Sequence, residues 1–191
     1  MDQGIGAPMP RKEDRRLLTG SGVFTDDYTL PGQVYGFVLR AQVGHAVIKS
    51  IDTASAKSAP GVLGVFTAED YMEDGMDAIP HVVNPPQIHN PKEAAFANRD
   101  GSPIFQAPHY PLARGKVRHI GEGMVFVVAE ALDQAKDAAE KVAIDLDVLP
   151  AVTDSAAAVK TGAPVVWENA PNNTAFDAEL GDKAATDNAF A

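Results

Sequence analysis

The chain has 191 residues, of which 45% are hydrophobic and 22% are charged, so it can build one good-sized domain or two small ones. A formal net charge of −10 opposes a general affinity for DNA, RNA or anionic lipid, because these polyanions need a basic surface. The lack of cysteine excludes disulfides, zinc–thiolate sites, cysteine nucleophiles and cysteine-ligated iron–sulfur clusters.

Two features bear on the location of the protein. The longest apolar stretch, residues 123–129, is far shorter than the roughly 20 residues that span a bilayer. The N-terminal sequence has no apolar segment of the kind found in secretory signal peptides. We therefore expect a cytoplasmic protein that contacts neither membranes nor nucleic acid.

Charge is spread unevenly along the chain. Residues 130–191 hold 12 acidic and 4 basic residues, whereas residues 1–129 hold 14 and 12. The acidic C-terminal third predicts a solvated face or a subunit contact. Near the N-terminus, four basic residues predict either a solvated, flexible lead-in or a strip that docks on an acidic partner surface: Arg11, Lys12, Arg15 and Arg16.

The first half of the chain alternates predicted strands with short helices. Residues 33–40 are apolar and rich in aromatic side chains, and residues 45–52 alternate like a half-buried strand. We expect Thr53 to cap a short helix that follows this strand. Residues 62–67 are predicted to be a buried strand, after which Thr67 caps a further helical turn.

A long loop is predicted between the two halves. Seven of the 14 prolines fall within residues 80–111. Since proline lacks an N–H group and restricts its own backbone, this span is predicted to be neither a regular helix nor a central strand. Loops of this length in a compact domain are uncommon and are usually functional or partly disordered.

The second half has clearer patterns. Residues 116–120 and 124–130 are apolar runs separated by Gly121-Glu122-Gly123, which indicates a hairpin or a bulge. Residues 131–142 predict a helix with one apolar face, formed by Leu132, Ala135, Ala138, Ala139 and Val142. Residues 143–149 predict a strand with Ile144, Leu146 and Val148 on one side and Asp145 and Asp147 on the other.

Weaker patterns follow residue 153. We expect a short helix over residues 154–160, a short extended piece over residues 165–167, and an alanine-rich helix that opens at Gly181-Asp182. The two halves share a loose strand–helix–strand order without a residue-level repeat. Together these elements predict an α/β or α+β class.

Motifs for catalysis and cofactor binding are missing. None of the three Gly-x-Gly pairs is followed by the third glycine of a dinucleotide fingerprint, and no P-loop is present. The five histidines lack the spacing of a metal cluster, and His45, at the start of a strand, is expected to be a hydrogen-bonded structural residue. Asp145 and Asp147 are expected on a solvated strand face rather than in an acid–base pair. The sequence predicts no catalytic, cofactor-binding or metal-binding residue.

Five segments resemble, in the same order, segments of the large subunits of molybdenum hydroxylases, the xanthine dehydrogenase/aldehyde oxidase family. They include a T-G-x-[AG]-x-[YF]-x-x-D pattern at residues 19–27 that leads to Leu30-Pro31-Gly32. The others lie at residues 40–52, 60–70, 117–130 and 147–152. The chain departs from the family pattern at Ala41-Gln42-Val43-Gly44, where Ser-Pro-His-Ala is usual, and at Gly123-Met124, where Pro-Val is commonest.

This resemblance implies the N-terminal α/β-hammerhead domain of the molybdenum-binding subunit, an α+β fold with a mixed sheet, a few short helices and the long proline-rich loop. The implied organisation is an extended lead-in over residues 1–20, the hammerhead domain over residues 21–153 and a C-terminal extension over residues 154–191. That extension would lead into molybdopterin-binding domains, so the chain is expected to be a domain fragment or half of a split subunit.

The family chemistry implied is hydroxylation of an aldehyde or N-heterocycle with water as the oxygen source. Molybdopterin contacts and a catalytic glutamate would lie in the later domains, with iron–sulfur clusters and FAD on partner subunits or domains. This span would supply subunit contacts and, through residues 104–110, part of a substrate funnel. The candidate funnel residues are Ile104, Phe105, His109 and Tyr110.

Two other hypotheses remain open. The chain could be a free-standing acidic protein-binding or assembly module without redox activity, which would dock its acidic C-terminal third on a basic partner. It could also be a small hydrolase that uses carboxylates of the long loop.

Overall fold

A computed structural model describes residue 6 and residues 9–80, 98–102, 104–170, 172–177 and 181–191. The chain divides after Val34 into two compact units. The first contains helix α1 (Asp14–Leu18) and a 3₁₀ turn (Thr25–Asp27), and none of its described residues is buried. Asp14 accepts hydrogen bonds from the backbone N–H and the Nε of Arg11, which holds the start of α1. This unit depends on local hydrogen bonds rather than on a core.

The second unit, which starts at Tyr35, contains the remaining helices and all of the described strands. In chain order they are β1 (Tyr35–Arg40), β2 (Ala46–Asp52), α2 (Ala54–Lys57), β3 (Val62–Phe66), α3 (Ala68–Glu73), β4 (Lys116–Val117), β5 (Gly123–Ala129), α4 (Leu132–Ala139), β6 (Ala143–Val148), α5 (Ser155–Ala158) and α6 (Lys183–Phe190). The strands form two antiparallel sheets, one in the order β1-β5-β3 and the other in the order β4-β2-β6. This is an α+β arrangement of two small sheets with short helices.

The core lies between α4 and the first sheet and continues into the second sheet. Every second residue of β5 points inward, so that Val125, Val127 and Ala129 are 0% exposed. Helix α4 meets them with alanines, which allow close approach of helix and sheet. The buried cluster also includes Ala46 and Val117 of the second sheet, which joins the two sheets through one core.

Most of the elements predicted from periodicity are confirmed. The strands predicted at residues 33–40, 45–52 and 143–149 correspond to β1, β2 and β6. Thr67 caps α3 as expected, because its N–H and hydroxyl donate to Asp70 Oδ2 while its hydroxyl accepts from the Asp70 N–H. Asp154 and Asp182 likewise cap α5 and α6 with their side chains.

The connection at residues 121–123 differs from the predicted hairpin. Strands β4 and β5 belong to different sheets, since the chain crosses from one sheet to the other between them. The irregularity lies just beyond the glycines, in the pairing of β1 with β5: Leu39 pairs with Val125 and Arg40 pairs with Gly123, so Met124 is the extra residue. Local apolar runs do not specify which strands pair. Here the pairing depends on how the strands pack around the common core.

Other expectations at the ends of elements are wrong. Strand β3 is an edge strand in which only Val65 is buried, so the prediction of a buried strand fails. Thr53 forms no side-chain cap, because Asp52 Oδ1 accepts the hydrogen bond from Ala54 N–H instead. The predictions for Val148 and Leu132 concerned only the side on which each lies. Val148 is 62% exposed at the end of the outer strand β6, and Leu132 is 42% exposed at the first turn of α4.

The long loop and the C-terminal segment are irregular. No helix or strand forms among the described residues of the span 80–111, and residues 81–97 and 103, with His81 and His89, lie outside the described part. The backbone N–H of Ile79 donates to the carbonyl of His109 at 2.7 Å, which ties the two flanks of the loop together. Residues 165–167 form no strand, because the N–H of Val166 donates to the Asn173 side chain rather than to a neighbouring strand.

Candidate functional site: a basic and aromatic cleft

A cleft of about 420 Å³ opens beside the end of β1. Its wall is formed by Arg40 of β1, the irregular segment that precedes β4, the β4–β5 connection and Trp167. The volume lies within the range of about 300–1,000 Å³ that is typical of small-molecule sites. Aromatic and basic side chains are concentrated around this cavity. The lining includes Arg40, His109, Tyr110, Arg114, Arg118, His119, Glu122 and Trp167.

Trp167 anchors one side of the cleft. The guanidinium carbon of Arg118 lies 3.7 Å from the centroid of the Trp167 ring, a close cation–π contact. The ring of Phe105 packs against the same indole, with centroids 5.9 Å apart and planes tilted by 55°. The segment that follows α5 is thereby joined to the β4–β5 connection and to the end of the long loop.

Glu122 orders the β4–β5 connection. Its Oε2 accepts a hydrogen bond from the backbone N–H of Arg118 at 2.5 Å and lies 3.7 Å from Nδ1 of His119. Beside it, Lys116 donates to Glu168, and this hydrogen bond lowers the pKa of the Glu168 carboxyl. The two carboxylates therefore already have partners within the chain.

The guanidinium of Arg118 is partly withdrawn from water. Burial lowers its pKa from the ordinary value, while the nearby charges of Glu122 and Glu168 act in the opposite direction. One of its N–H groups donates to the carbonyl of Lys116 at 3.3 Å. Its Nε is buried and has no acceptor among the described residues. The contacts within the described residues therefore do not replace every hydrogen bond that Arg118 would make with water.

The funnel residues expected from the sequence are distributed unevenly around this cleft. His109 and Tyr110 line it directly. Phe105 reaches it only through Trp167, and Ile104 is half-buried outside the lining. No ligand-binding role was predicted for Arg40, Arg114 or Arg118. Arg40 and Arg118 lie within the family-like segments 40–52 and 117–130, but nothing in the sequence indicates that the three arginines meet in one cleft. Trp167, as the sole tryptophan, could have been singled out by composition alone.

A second candidate surface is the outer face of the first sheet. Phe66 and Phe126 lie on this face with 43% and 36% of their surface exposed. Their rings lie over Gly64 and Gly36, where an added Cβ would come within 2.6 Å of a ring carbon. Six paired positions on this face are uncharged, namely Gly36, Val38, Gly64, Phe66, Phe126 and Val128, and Arg40 follows them at the end of β1. A groove of about 330 Å³ adjoins these rings and is lined mainly by apolar side chains.

The other candidate residues have structural roles. His45 is 5% exposed, and its Nδ1 lies 3.1 Å from the carbonyl of Pro150, which confirms a hydrogen-bonded structural residue. Asp145 and Asp147 are exposed on β6, as predicted. Across the described ranges, no three His, Cys, Asp or Glu side chains are grouped so that they could hold a metal ion. The described residues therefore do not fit a metal centre.

Comparison with known proteins identifies the fold. A family model described as "Aldehyde oxidase and xanthine dehydrogenase, a/b hammerhead domain" matches residues 19–150. The chain belongs to this hammerhead family. The two small sheets and short helices described above agree with that fold.

Two curated relatives of this hammerhead chain are large subunits of oxidoreductases. It is 33% identical to the carbon monoxide dehydrogenase large chain of Afipia carboxidovorans, over 99% of the chain and 22% of the relative. It is 35% identical to the nicotine 6-hydroxylase large subunit of Paenarthrobacter nicotinovorans, over 88% of the chain and 18% of the relative. The hammerhead chain therefore spans about a fifth of the length of these relatives.

Solved structures show the same relationship. Carbon monoxide dehydrogenase from Oligotropha carboxidovorans superposes with a TM-score of 0.69 at 32% identity, covering 98% of this chain and 22% of that one. Quinoline 2-oxidoreductase from Pseudomonas putida 86 superposes with a TM-score of 0.64 at 33% identity, covering 83% of this chain and 18% of that one.

Among the helices of the described residues, none combines the length and the apolar character that a membrane span requires.

Proposed function

We propose that this chain is a non-catalytic structural domain of a molybdenum hydroxylase and contributes domain and subunit contacts to the complete enzyme. The observation that carries the proposal is the apolar outer face of the first sheet. The solvent-exposed face of an antiparallel sheet normally carries polar residues, and contiguous exposed apolar patches mark interaction surfaces. Phe66 and Phe126 would be covered by a neighbouring domain or subunit in the assembled enzyme.

The reaction of the complete enzyme would be hydroxylation of an aldehyde or N-heterocycle with water as the oxygen source. The molybdopterin cofactor would be held by domains outside this span, and iron–sulfur clusters and FAD by partner subunits or domains. The lack of cysteine supports this division, because a span without thiolates cannot hold an iron–sulfur cluster through cysteine. The names of the relatives, which include dehydrogenases and a hydroxylase, support the same reaction class.

Within that enzyme, residues 21–153 would form the hammerhead domain, residues 1–20 its lead-in and residues 154–191 a connection to the molybdopterin-binding domains. Ile104, Phe105, His109 and Tyr110 would line part of the substrate funnel. The position of His109 and Tyr110 in the cleft supports this role. If they line the funnel, Phe105→Ala and His109→Ala in the complete enzyme should change KM by different factors for different substrates; unchanged KM values across substrates would refute the assignment.

The test of the structural role is purification of the affinity-tagged protein from its native host. We expect molybdenum, iron and flavin to co-purify with it. Phe66→Ser combined with Phe126→Ser should reduce the recovered molybdenum at least severalfold. Val148→Ser is the control, since Val148 is 62% exposed but lies on the second sheet. A colourless protein that purifies alone, with the same composition in all variants, would instead favour a free-standing assembly module.

A further inference from the structure

The cleft beside β1 concentrates positive charge in a chain whose formal net charge is −10. Arg40, Arg114 and Arg118 line it, whereas Glu122 is the single carboxylate among its described lining residues. That carboxylate already accepts the backbone N–H of Arg118. The cleft is therefore a basic site in an acidic protein, which indicates an anionic ligand.

Each of the three guanidinium groups is held in place by a contact within the chain. Arg118 stacks on Trp167 at 3.7 Å, and Arg114 lies 5.6 Å from the Tyr110 ring centroid and 3.3 Å from its hydroxyl. Arg40 donates to the carbonyl of Gly121 at 2.9 Å. Because a guanidinium has five N–H donors, these contacts leave further donors on each group. Side chains already held in this way lose less conformational entropy when a ligand binds.

Arg114 covers one face of the Tyr110 ring and Arg118 covers one face of the Trp167 ring, so guanidinium N–H groups are the main recognition groups that remain in the cleft. Guanidinium edges match the oxygens of carboxylate and phosphate groups. Arg118 also has a buried Nε without an acceptor, and burial lowers its pKa, so a bound anion would compensate a charge that has lost water. All of these features favour an oxyanion over a neutral or cationic ligand.

We propose that this cleft binds a small organic oxyanion, a carboxylate or a phosphate, through Arg40, Arg114 and Arg118. The volume of about 420 Å³ admits a small molecule of this class. The proposal concerns only side chains of this chain, and it stands whether or not the chain is part of a molybdenum hydroxylase.

Trp167 provides a direct readout, because it is the sole tryptophan of the protein and lies in the cleft. Its fluorescence is followed in the 191-residue chain during titration with inorganic phosphate or with acetate, with chloride used to keep the ionic strength constant. We expect a saturable change with at least one of the two probes. Saturation by acetate alone identifies a carboxylate ligand, and saturation by phosphate alone identifies a phosphate. A response to neither anion beyond that to chloride overturns the proposal.

Variants decide whether the arginines carry the binding. Arg40→Gln and Arg118→Gln should each weaken binding about tenfold, the effect of losing one charge-assisted contact. Arg15→Gln is the matched control, since it removes the same charge from an exposed position on α1. Arg40 is exposed, so its variant remains informative if loss of the Arg118–Trp167 stack disturbs folding. Equal dissociation constants for Arg40→Gln and Arg15→Gln would also overturn the proposal.

Discussion

Arg118 and Trp167 stack at 3.7 Å and join the β4–β5 connection to the segment after α5. This contact closes one side of the cleft and orders a part of the chain that has no strand of its own. The contact therefore contributes both to the shape of the cleft and to the attachment of the segment after α5.

Replacement of the indole tests this contact. We expect Trp167→Leu to lower the free energy of unfolding by about 1–2 kcal/mol, because it removes the cation–π interaction and the packing against Phe105. Urea unfolding followed by circular dichroism measures the change. Phe190→Leu is the control, since Phe190 is 90% exposed and its replacement should leave the midpoint unchanged. Equal midpoints for the two variants would contradict a structural role for the stack.

The capping carboxylate of α3 predicts a pH dependence. Burial alone would raise the pKa of Asp70, but hydrogen bonds from Thr67 and the charge of Lys57 outweigh it, so that the net pKa lies below the ordinary value of 3.8. A carboxyl whose pKa is lower in the folded state than in the unfolded state stabilises the folded state at pH values above its unfolded-state pKa. This contribution is lost as the pH falls through the folded-state pKa.

We therefore expect Asp70→Asn to cost about 1 kcal/mol at neutral pH and less as the pH falls below 3.8. Urea titrations across acidic pH measure the difference from the original protein. Glu69→Gln removes a neighbouring exposed charge that forms no cap, and it should leave the acid profile unchanged. If Asp70→Asn were equally destabilising at every pH, the capping bond to the carboxylate would not be the cause.

Two separable features make replacement of Gly61 destabilising. Its backbone has a φ of +73°, a conformation that is strained for a residue with a side chain, and an added Cβ would lie 2.2 Å from Gln134 Oε1. Gly115 has a φ of +67° and open space around it, so Gly115→Ala measures the backbone cost alone, about 1 kcal/mol. We expect Gly61→Ala to destabilise more than Gly115→Ala in thermal or urea unfolding. Equal costs would show that Gln134 moves aside freely.

Asn173 organises the segment that carries Trp167. It has a φ of 52°, accepts from the Val166 N–H, and donates to the carbonyls of Ala158 and Pro164, all at 2.9 Å. Asn173→Ala should speed hydrogen exchange at the Val166 amide by about tenfold or more, since it loses these bonds and the preference of Asn for this backbone region.

Asn173→Gly separates the two contributions, because glycine accepts the backbone conformation but restores none of the side-chain hydrogen bonds. Exchange at Val166 should therefore remain fast in this variant. Protection equal to that of the original protein would show that the backbone conformation, rather than the hydrogen bonds, orders the segment.

Much of the fold follows from local patterns. The alternation in β6, the alanine face of α4 and the Thr67–Asp70 cap each involve residues within a few positions of one another, so periodicity and hydrogen-bonding chemistry predict them. The order of the five motif segments likewise predicted the hammerhead family. Errors occurred at Thr53, at the edge strand β3 and at the β4–β5 connection, where neighbouring elements outweigh local preference.

By itself, therefore, the sequence determined the strands, the capped helices, the absence of thiol chemistry and the family. The tertiary structure alone decided which strands pair, that β4 and β5 separate into two sheets, and that Arg40, Arg118 and Trp167 share one cleft. These relationships join residues far apart in the chain. They depend on how one core brings the two sheets together, and no local propensity of the connecting segments encodes that.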